Sequence, residues 1–280
     1  MDHDQQSLKI DQELAALYLE WTQTLRQSGH QQDVIAKFER AAAGEPGNAL
    51  AQYDWGEALY ALGRFEEAAD RFRQATETDP MLSEGFRRWA DSLSELGRYA
   101  EAIEKYRRAA EINPEDSDTH YNLGCTLADS GRLEEALKAY QRATEVDPHK
   151  DAAFYNWGNT LYDLKRFEDA AEKYLRATDL NPSRSAAYYN CGNALRELAR
   201  YEEAIEEYDI AAELDPEDAD AFFYCGEMLR ALDRNEEAIE KYRRVATLRS
   251  KFSRVFYSWG KALERLGRHE EADQMLSRYP

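Results

Sequence analysis

The stretch DAAFYNWGNTLYDLKRFEDAAEKYLRATDLNPSR, running from Asp151 to Arg184, decides the fold. Phe154, Trp157, Gly158, Leu161 and Leu164 recur at helical spacing, which predicts an amphipathic helix with Asp151 as its N-cap. Lys165 and Arg166 make a turn. Phe167, Ala170, Ala171, Tyr174, Ala177, Thr178 and Leu180 then repeat the apolar spacing of a second helix. Asn181-Pro182 stops it, because proline has no amide hydrogen and disfavours helix in the residue before it. The stretch is a helical hairpin. Gly158 and Ala170 are expected to let its two helices approach, with Trp157 and Tyr174 filling the space toward neighbouring hairpins.

The hairpin recurs. Pro46, Pro80, Pro114, Pro148, Pro182 and Pro216 stand 34 residues apart. Trp21, Trp55, Trp89, Trp157 and Trp259 share one column of that register with Leu123, Cys191 and Cys225. The next column holds Gly56, Gly124, Gly158, Gly192, Gly226 and Gly260, with Ala90 and Thr22 as its exceptions. A turn column contains Gly29, Gly63, Gly97, Gly131 and Gly267 beside Lys165, Ala199 and Asp233. Ser83, Ser117, Ser185 and Ser253 occupy the Asp151 column, so side-chain oxygens are expected to cap most first helices.

The columns Trp157-Gly158, Ala170, Tyr174, Ala177 and Pro182, repeated through residues 15–280, resemble the tetratricopeptide repeat family. The resemblance implies an all-α, right-handed superhelical solenoid of helix-turn-helix repeats whose first helices line a concave groove. Its units are 15–48, 49–82, 83–116, 117–150, 151–184, 185–218, 219–252 and a partial 253–280, after an N-terminal segment 1–14. Each unit of a solenoid buries its apolar face on its neighbours, so departures are expected at the ends. Thr22 and Val34 depart in the first unit, and polar Asp273, Gln274 and Arg278 close the last. One departure is internal: Leu248-Arg249-Ser250-Lys251 lacks the proline, which predicts a softer joint between the last two units.

Composition narrows the function. The 280 residues carry 55 acidic and 36 basic side chains, a net charge of −19, which disfavours binding to nucleic-acid phosphates and favours a partner of basic character. With 43% hydrophobic and 12% aromatic residues the chain is expected to fold. No apolar run approaches the ~20 residues of a membrane span, and Met1 to Gln6 lack the pattern of a signal peptide. Cys125, Cys191 and Cys225 form no CxxC pair, so a reducing, cytoplasmic setting is expected.

Counting around the first helices from the tryptophan column gives their exposed stripe. Tyr121, Tyr155 and Tyr189 lie two before it, Asn122, Asn156 and Asn190 one before it, and Asn159 and Asn193 two after it. An amide donates and accepts together, so a ladder of asparagines can pair with the backbone of an extended peptide, with tyrosines adding flat area at the rim. These eight residues are the candidate partner-binding site. The same columns also suit hydrogen bonds between neighbouring hairpins. Family members that grip a terminal carboxylate use Lys and Arg with Asn. Here Asn159 and Asn190 match, but Tyr155, Asp220 and Tyr224 stand at the basic positions, which speaks against that mode.

Nothing in the sequence indicates catalysis. His3, His30, His120, His149 and His269 share no ligand spacing, no phosphate loop or nucleophile elbow is present, and no metal or cofactor is expected. Arg64, Arg98, Arg132, Arg166, Arg200, Arg234 and Arg268 form a column before acidic pairs such as Glu202-Glu203. The expectation is a non-catalytic scaffold or adaptor holding a peptide or helix of a protein partner. Two alternatives are a substrate-recruiting subunit of an enzyme on another chain and a head-to-tail homo-oligomer. The second is suggested by Lys251, Arg254, Lys261, Arg265 and Arg268 at the C-terminal end of an acidic chain.

Overall fold

The computed structural model describes residues 31–44 and 47–279. Among these residues there are fifteen helices and no strand, in keeping with the all-α reading. The readings placed on Trp21, Thr22 and Gly29, on the Val34 side chain and on residues 1–14 lie outside the described residues.

The helices form two compact units, one ending at Val146 and the other beginning at Asp147. The first contains α1 (Gln31–Gly44), α2 (Ala49–Ala61), α3 (Phe65–Thr78), α4 (Ser83–Glu95), α5 (Tyr99–Ile112), α6 (Ser117–Asp129) and α7 (Leu133–Val146). The second contains α8 (Asp151–Asp163), α9 (Phe167–Leu180), α10 (Ser185–Glu197), α11 (Tyr201–Leu214), α12 (Ala219–Ala231), α13 (Asn235–Leu248), α14 (Ser253–Arg265) and α15 (His269–Leu276). Within each unit every helix packs on the next, and α2 with α4, α4 with α6, α8 with α10 and α12 with α14 also touch. This is the solenoid pattern of stacked hairpins.

Glycine and an aromatic ring close each hairpin. A Cβ on Gly158 would lie 2.7 Å from the Tyr174 ring, and Gly56 with Phe72, Gly124 with Tyr140, Gly192 with Tyr208 and Gly226 with Tyr242 repeat the contact. Tyr174 therefore fills the space within its own hairpin rather than toward a neighbour, which corrects the sequence expectation. Tyr140, Tyr174, Tyr208 and Tyr242 are almost completely buried, and each ring contributes ~2–3 kcal/mol of apolar burial. Ala68, Ala102, Ala136, Ala170, Ala204 and Ala238 are fully buried beside them.

The turn column has a backbone cause. Gly63, Gly97, Gly131 and Gly267 have φ between 71° and 78°, and Lys165, Ala199 and Asp233 are held at 57° to 59° in the same left-handed region. That conformation suits glycine and is strained for a residue with a Cβ.

Two expectations change. The N-caps fall one residue earlier than the Asp151 column, at Asn48, Leu82, Asp116, Lys150, Arg184, Asp218 and Phe252, and only the Asn48, Asp116 and Asp218 side chains accept helix amides. Asp151 is the first residue of α8, and its carboxylate is drawn instead to Asn181 Nδ2 at 2.9 Å and Arg184 Nη2 at 2.7 Å. Among the described residues, Trp55, Trp89, Trp157 and Trp259 are only half-buried. Arg71 covers Trp55 at 4.1 Å, Lys105 covers Trp89 at 4.4 Å and Lys173 covers Trp157 at 4.6 Å, a cation–π pairing worth ~0.5–1 kcal/mol.

The repeated arginines gain an explanation. Each directly precedes a second helix and reaches the carboxylate three residues on, as Arg132 does with Glu135 at 2.7 and 2.8 Å and Arg200 with Glu203 at 2.7 and 2.5 Å. The acid complements the helix N-terminus and the fork fixes the turn. At the joint lacking proline, Phe252 meets Phe223 edge-on at 5.1 Å and Arg249 reaches Asp220 at 3.0 Å.

Candidate functional site

The eight candidate residues divide between the two units. Tyr121 and Asn122 lie on α6 in the first, and the other six lie on α8 and α10 in the second. Asn122 Nδ2 donates to Asp91 Oδ1 at 3.0 Å, the same oxygen that the Tyr106 hydroxyl bonds at 2.6 Å. Tyr121 packs its ring against Tyr140.

In the second unit the asparagines form a network. Asn159 Oδ1 accepts from the Tyr174 hydroxyl at 2.8 Å and from Asn190 Nδ2 at 3.0 Å. Asn190 Nδ2 also donates to the Tyr155 hydroxyl at 3.1 Å, so both of its amide hydrogens are used inside the unit. Asn159 Nδ2 reaches Asn156 Oδ1 at 3.4 Å, and Asn193 Oδ1 accepts from Tyr208 at 2.9 Å and Arg196 Nη1 at 3.1 Å. The ladder thus pins hairpins to one another. Four members of the column two after the tryptophans act as struts: Asp91, Asn159, Asn193 and Glu227 each accept from a tyrosine fifteen residues on.

Beside this network lies a pocket of about 450 Å³ lined by Asn159, Tyr162, Asp163, Tyr174, Tyr189, Asn190, Asn193, Arg196 and Tyr224. Its size falls in the range of ligand sites. Helical spacing brings the wall together: Tyr189, Asn193 and Arg196 share one stripe of α10, and Asn159, Tyr162 and Asp163 share one stripe of α8. The Arg196 guanidinium lies 4.7 Å over the Tyr224 ring, held by Asn193 and, at 2.8 Å, by Glu197. Tyr224 stacks on Tyr208 and meets Tyr189, which makes a tyrosine wall. Burial pushes the Tyr189 phenol up to about 12 and also raises that of Tyr162, so both remain protonated donors at neutral pH.

Of the candidate residues, the pocket takes in Asn159, Tyr189, Asn190 and Asn193. Tyr155 is not in its wall; its ring lies under Arg184 at 5.2 Å. Sequence reasoning missed Tyr162, Asp163, Tyr174, Arg196 and Tyr224 as site residues. Arg196 also alters the argument about a terminal carboxylate, because a cation does stand in the pocket, five residues after the Cys191 column rather than at the basic positions sought. Of the basic residues at the C-terminal end, Lys261 pairs with Glu264, Arg265 with Asp233 and Arg268 with Glu271 within the second unit. Among the described residues no three His, Cys, Asp or Glu side chains converge as a metal site, and no helix is long and apolar enough to cross a membrane.

Comparison with known proteins agrees with this architecture. One family profile described as tetratricopeptide repeat matches residues 87–153, 121–185, 155–212 and 189–251, and a second with the same description matches residues 25–85. A search of curated proteins found no match. Among solved structures, the MamA protein is 25% identical with a TM-score of 0.57, covering 59% of this chain and 91% of that one. YrrB, a TPR protein with an unusual peptide-binding site, is 23% identical with a TM-score of 0.58, covering 66% and 95%. The C-terminal part of a TPR repeat-containing protein from Cytophaga hutchinsonii is 14% identical with a TM-score of 0.71, covering 86% and 98%. The last two are likenesses of fold.

Proposed function

Because the chain belongs to the tetratricopeptide repeat family, a class of protein-interaction scaffolds, we propose that it is non-catalytic and holds a segment of a protein partner on the first-helix face of its second unit. One observation carries the reading: the pocket among α8, α10 and α12 keeps uncommitted polar groups within a wall of tyrosines. Asn190 Oδ1, the Tyr224 hydroxyl and the remaining N–H groups of Arg196 are placed to meet a peptide backbone or side chain. The asparagines beneath act as the frame of the site. The charge of −19 favours a partner that is basic overall and whose association weakens with salt. The setting in which it works is taken to be the cytoplasm.

Photo-crosslinking from single positions tests this. A crosslinking residue at Tyr162 or Tyr224 is expected to trap a protein partner, and one at exposed Glu206 is not. Equal trapping from all three positions would place the contact elsewhere. Head-to-tail self-assembly is the weaker reading, since Lys261, Arg265 and Arg268 already have carboxylate partners. A size that grows with concentration at low salt would bring it forward.

A further inference from the structure

The asparagines of the pocket on the second unit have little left to give the N–H groups of an incoming peptide. Asn159 Oδ1 already accepts from Tyr174 and Asn190, and Asn193 Oδ1 accepts from Tyr208 and Arg196. A carbonyl oxygen has two lone pairs, so both are filled. Both Asn190 amide hydrogens are spent, on Tyr155 and Asn159. A side-chain amide clamps a peptide unit by donating to its carbonyl and accepting from its N–H together, and neither Asn159, Asn190 nor Asn193 retains that full pair. The amide and carboxylate acceptors that remain are Asn190 Oδ1 and Asp163, which is exposed at the rim.

Donors and rings are in better supply. Arg196 commits Nη1 to Asn193 and Nη2 to Glu197, which leaves further N–H groups on a guanidinium whose charge Glu197 already balances. Such groups suit neutral carbonyls. Tyr162, Tyr174, Tyr189 and Tyr224 bring rings into the wall from four helices, α8, α9, α10 and α12. Tyr224 is held between Tyr208, stacked at 6.1 Å, and Arg196 at 4.7 Å, and meets Tyr189 at 6.3 Å and 59°. The wall is set before anything binds. A segment that matches it brings carbonyls, few N–H groups and flat apolar surface. Proline is the residue with a carbonyl and no N–H, its ring packs on aromatic side chains, and its polyproline II backbone is already extended, so little order is lost on docking.

We infer that the pocket takes a proline-rich stretch of the bound segment, in polyproline II form, with a Lys or Arg beside it that meets Asp163 at the rim. The inference rests on the peptide-holding reading above and names the class of segment held. The flanking cation agrees with a chain of net charge −19.

The test uses the full chain as bait for a displayed library of random peptides of about 12 residues. The expected result is a shared proline with a Lys or Arg within a few positions. For an enriched peptide measured by fluorescence anisotropy, alanine in place of that proline should weaken binding about tenfold. N-methylalanine there, which also lacks the N–H, should recover part of the loss. Tyr224→Leu should remove most of the proline-to-alanine difference while its circular dichroism and melting stay native-like. Asp163→Lys, at an exposed position that leaves the packing alone, should weaken the peptide a few-fold and keep the proline dependence, and it reads the site even where Tyr224→Leu folds poorly. Enriched peptides without a shared proline, an alanine penalty as large in folded Tyr224→Leu as in the native chain, or unchanged affinity in Asp163→Lys would overturn the proline inference and leave peptide holding in place. No enrichment from the library would overturn both.

Discussion

The Tyr174 hydroxyl donates to Asn159 Oδ1 at 2.8 Å, and that same oxygen takes the Asn190 amide at 3.0 Å. One carbonyl oxygen therefore ties α9 to α8 and α10 to α8. Tyr174→Phe removes one bond and leaves Asn190 paired, so a loss of ~1 kcal/mol is expected. Asn159→Ala leaves a buried hydroxyl and an amide hydrogen without that acceptor, and should cost ~2–3 kcal/mol. Urea titrations of both variants and their combination check this. If Asn159→Ala unfolds within 0.5 kcal/mol of native, roughly the range of a neutral surface change, the strut assignment is wrong.

The left-handed turn residues make a second, opposite prediction. Ala199 sits at φ 57° in a column where four of the other described turns have glycine. Relief of the Cβ strain, offset by glycine's larger entropy when unfolded, leaves Ala199→Gly more stable by ~0.5–1 kcal/mol. Gly131→Ala, at φ 78°, should lose ~1 kcal/mol or more. Thermal melts of the pair give the signs directly. A destabilised Ala199→Gly would mean that the methyl has packing value that outweighs its strain.

The hairpins were legible because burial recurs: alanine at 170, tyrosine at 174 and proline at 182 each answer a steric demand that most units repeat. The asparagine network was not, since Asn159 meets a hydroxyl fifteen residues away and an amide thirty-one residues away, on other helices. Columns show which residues share a face and leave open which partner crosses to them. Arg196 could have been found, for it lies three residues from Asn193 on one stripe of α10. Its column, five after Cys191, lies outside those that flank the tryptophans. The cap falls one residue before the Asp151 column because Asp151 is already helical, with its carboxylate turned to Asn181 and Arg184 rather than to its own helix amides.

The joint between α13 and α14 offers a third prediction. Without proline, it relies on Arg249 with Asp220, both largely exposed, and on Phe252 against Phe223. Salt screens the first contact and leaves the second. Amide exchange of α14 is expected to speed up between low and high ionic strength, more than that of α10, whose preceding turn contains Pro182. Asp220→Asn should give the fast rate at low salt. Exchange in α14 that is indifferent to both changes would show that the ring contact alone holds the joint.

Glu207 carries a pH prediction. Its helix, α11, has Glu202, Glu203, Glu206, Glu207, Asp209 and Glu213 and no Lys or Arg. It stands in the column where Lys173 covers Trp157, but here the ring is replaced by Cys191. One carboxylate oxygen is buried without a hydrogen-bond partner. Burial first, then repulsion from Glu206 and Glu203, pushes its pKa from 4.5 up to about 7. The folded chain therefore binds this proton more tightly than the unfolded chain, and protonation stabilises it. The contribution is complete below pH 4.5, falls as pH rises, and is gone above about 7. Partial exposure holds the effect to ~1–2 kcal/mol. Glu207→Gln should match the native chain near pH 4 and exceed its stability at pH 8, so the difference between the two unfolding curves isolates this group from the other acids. A difference that does not change between those pH values would show that Glu207 ionises at no cost to the fold.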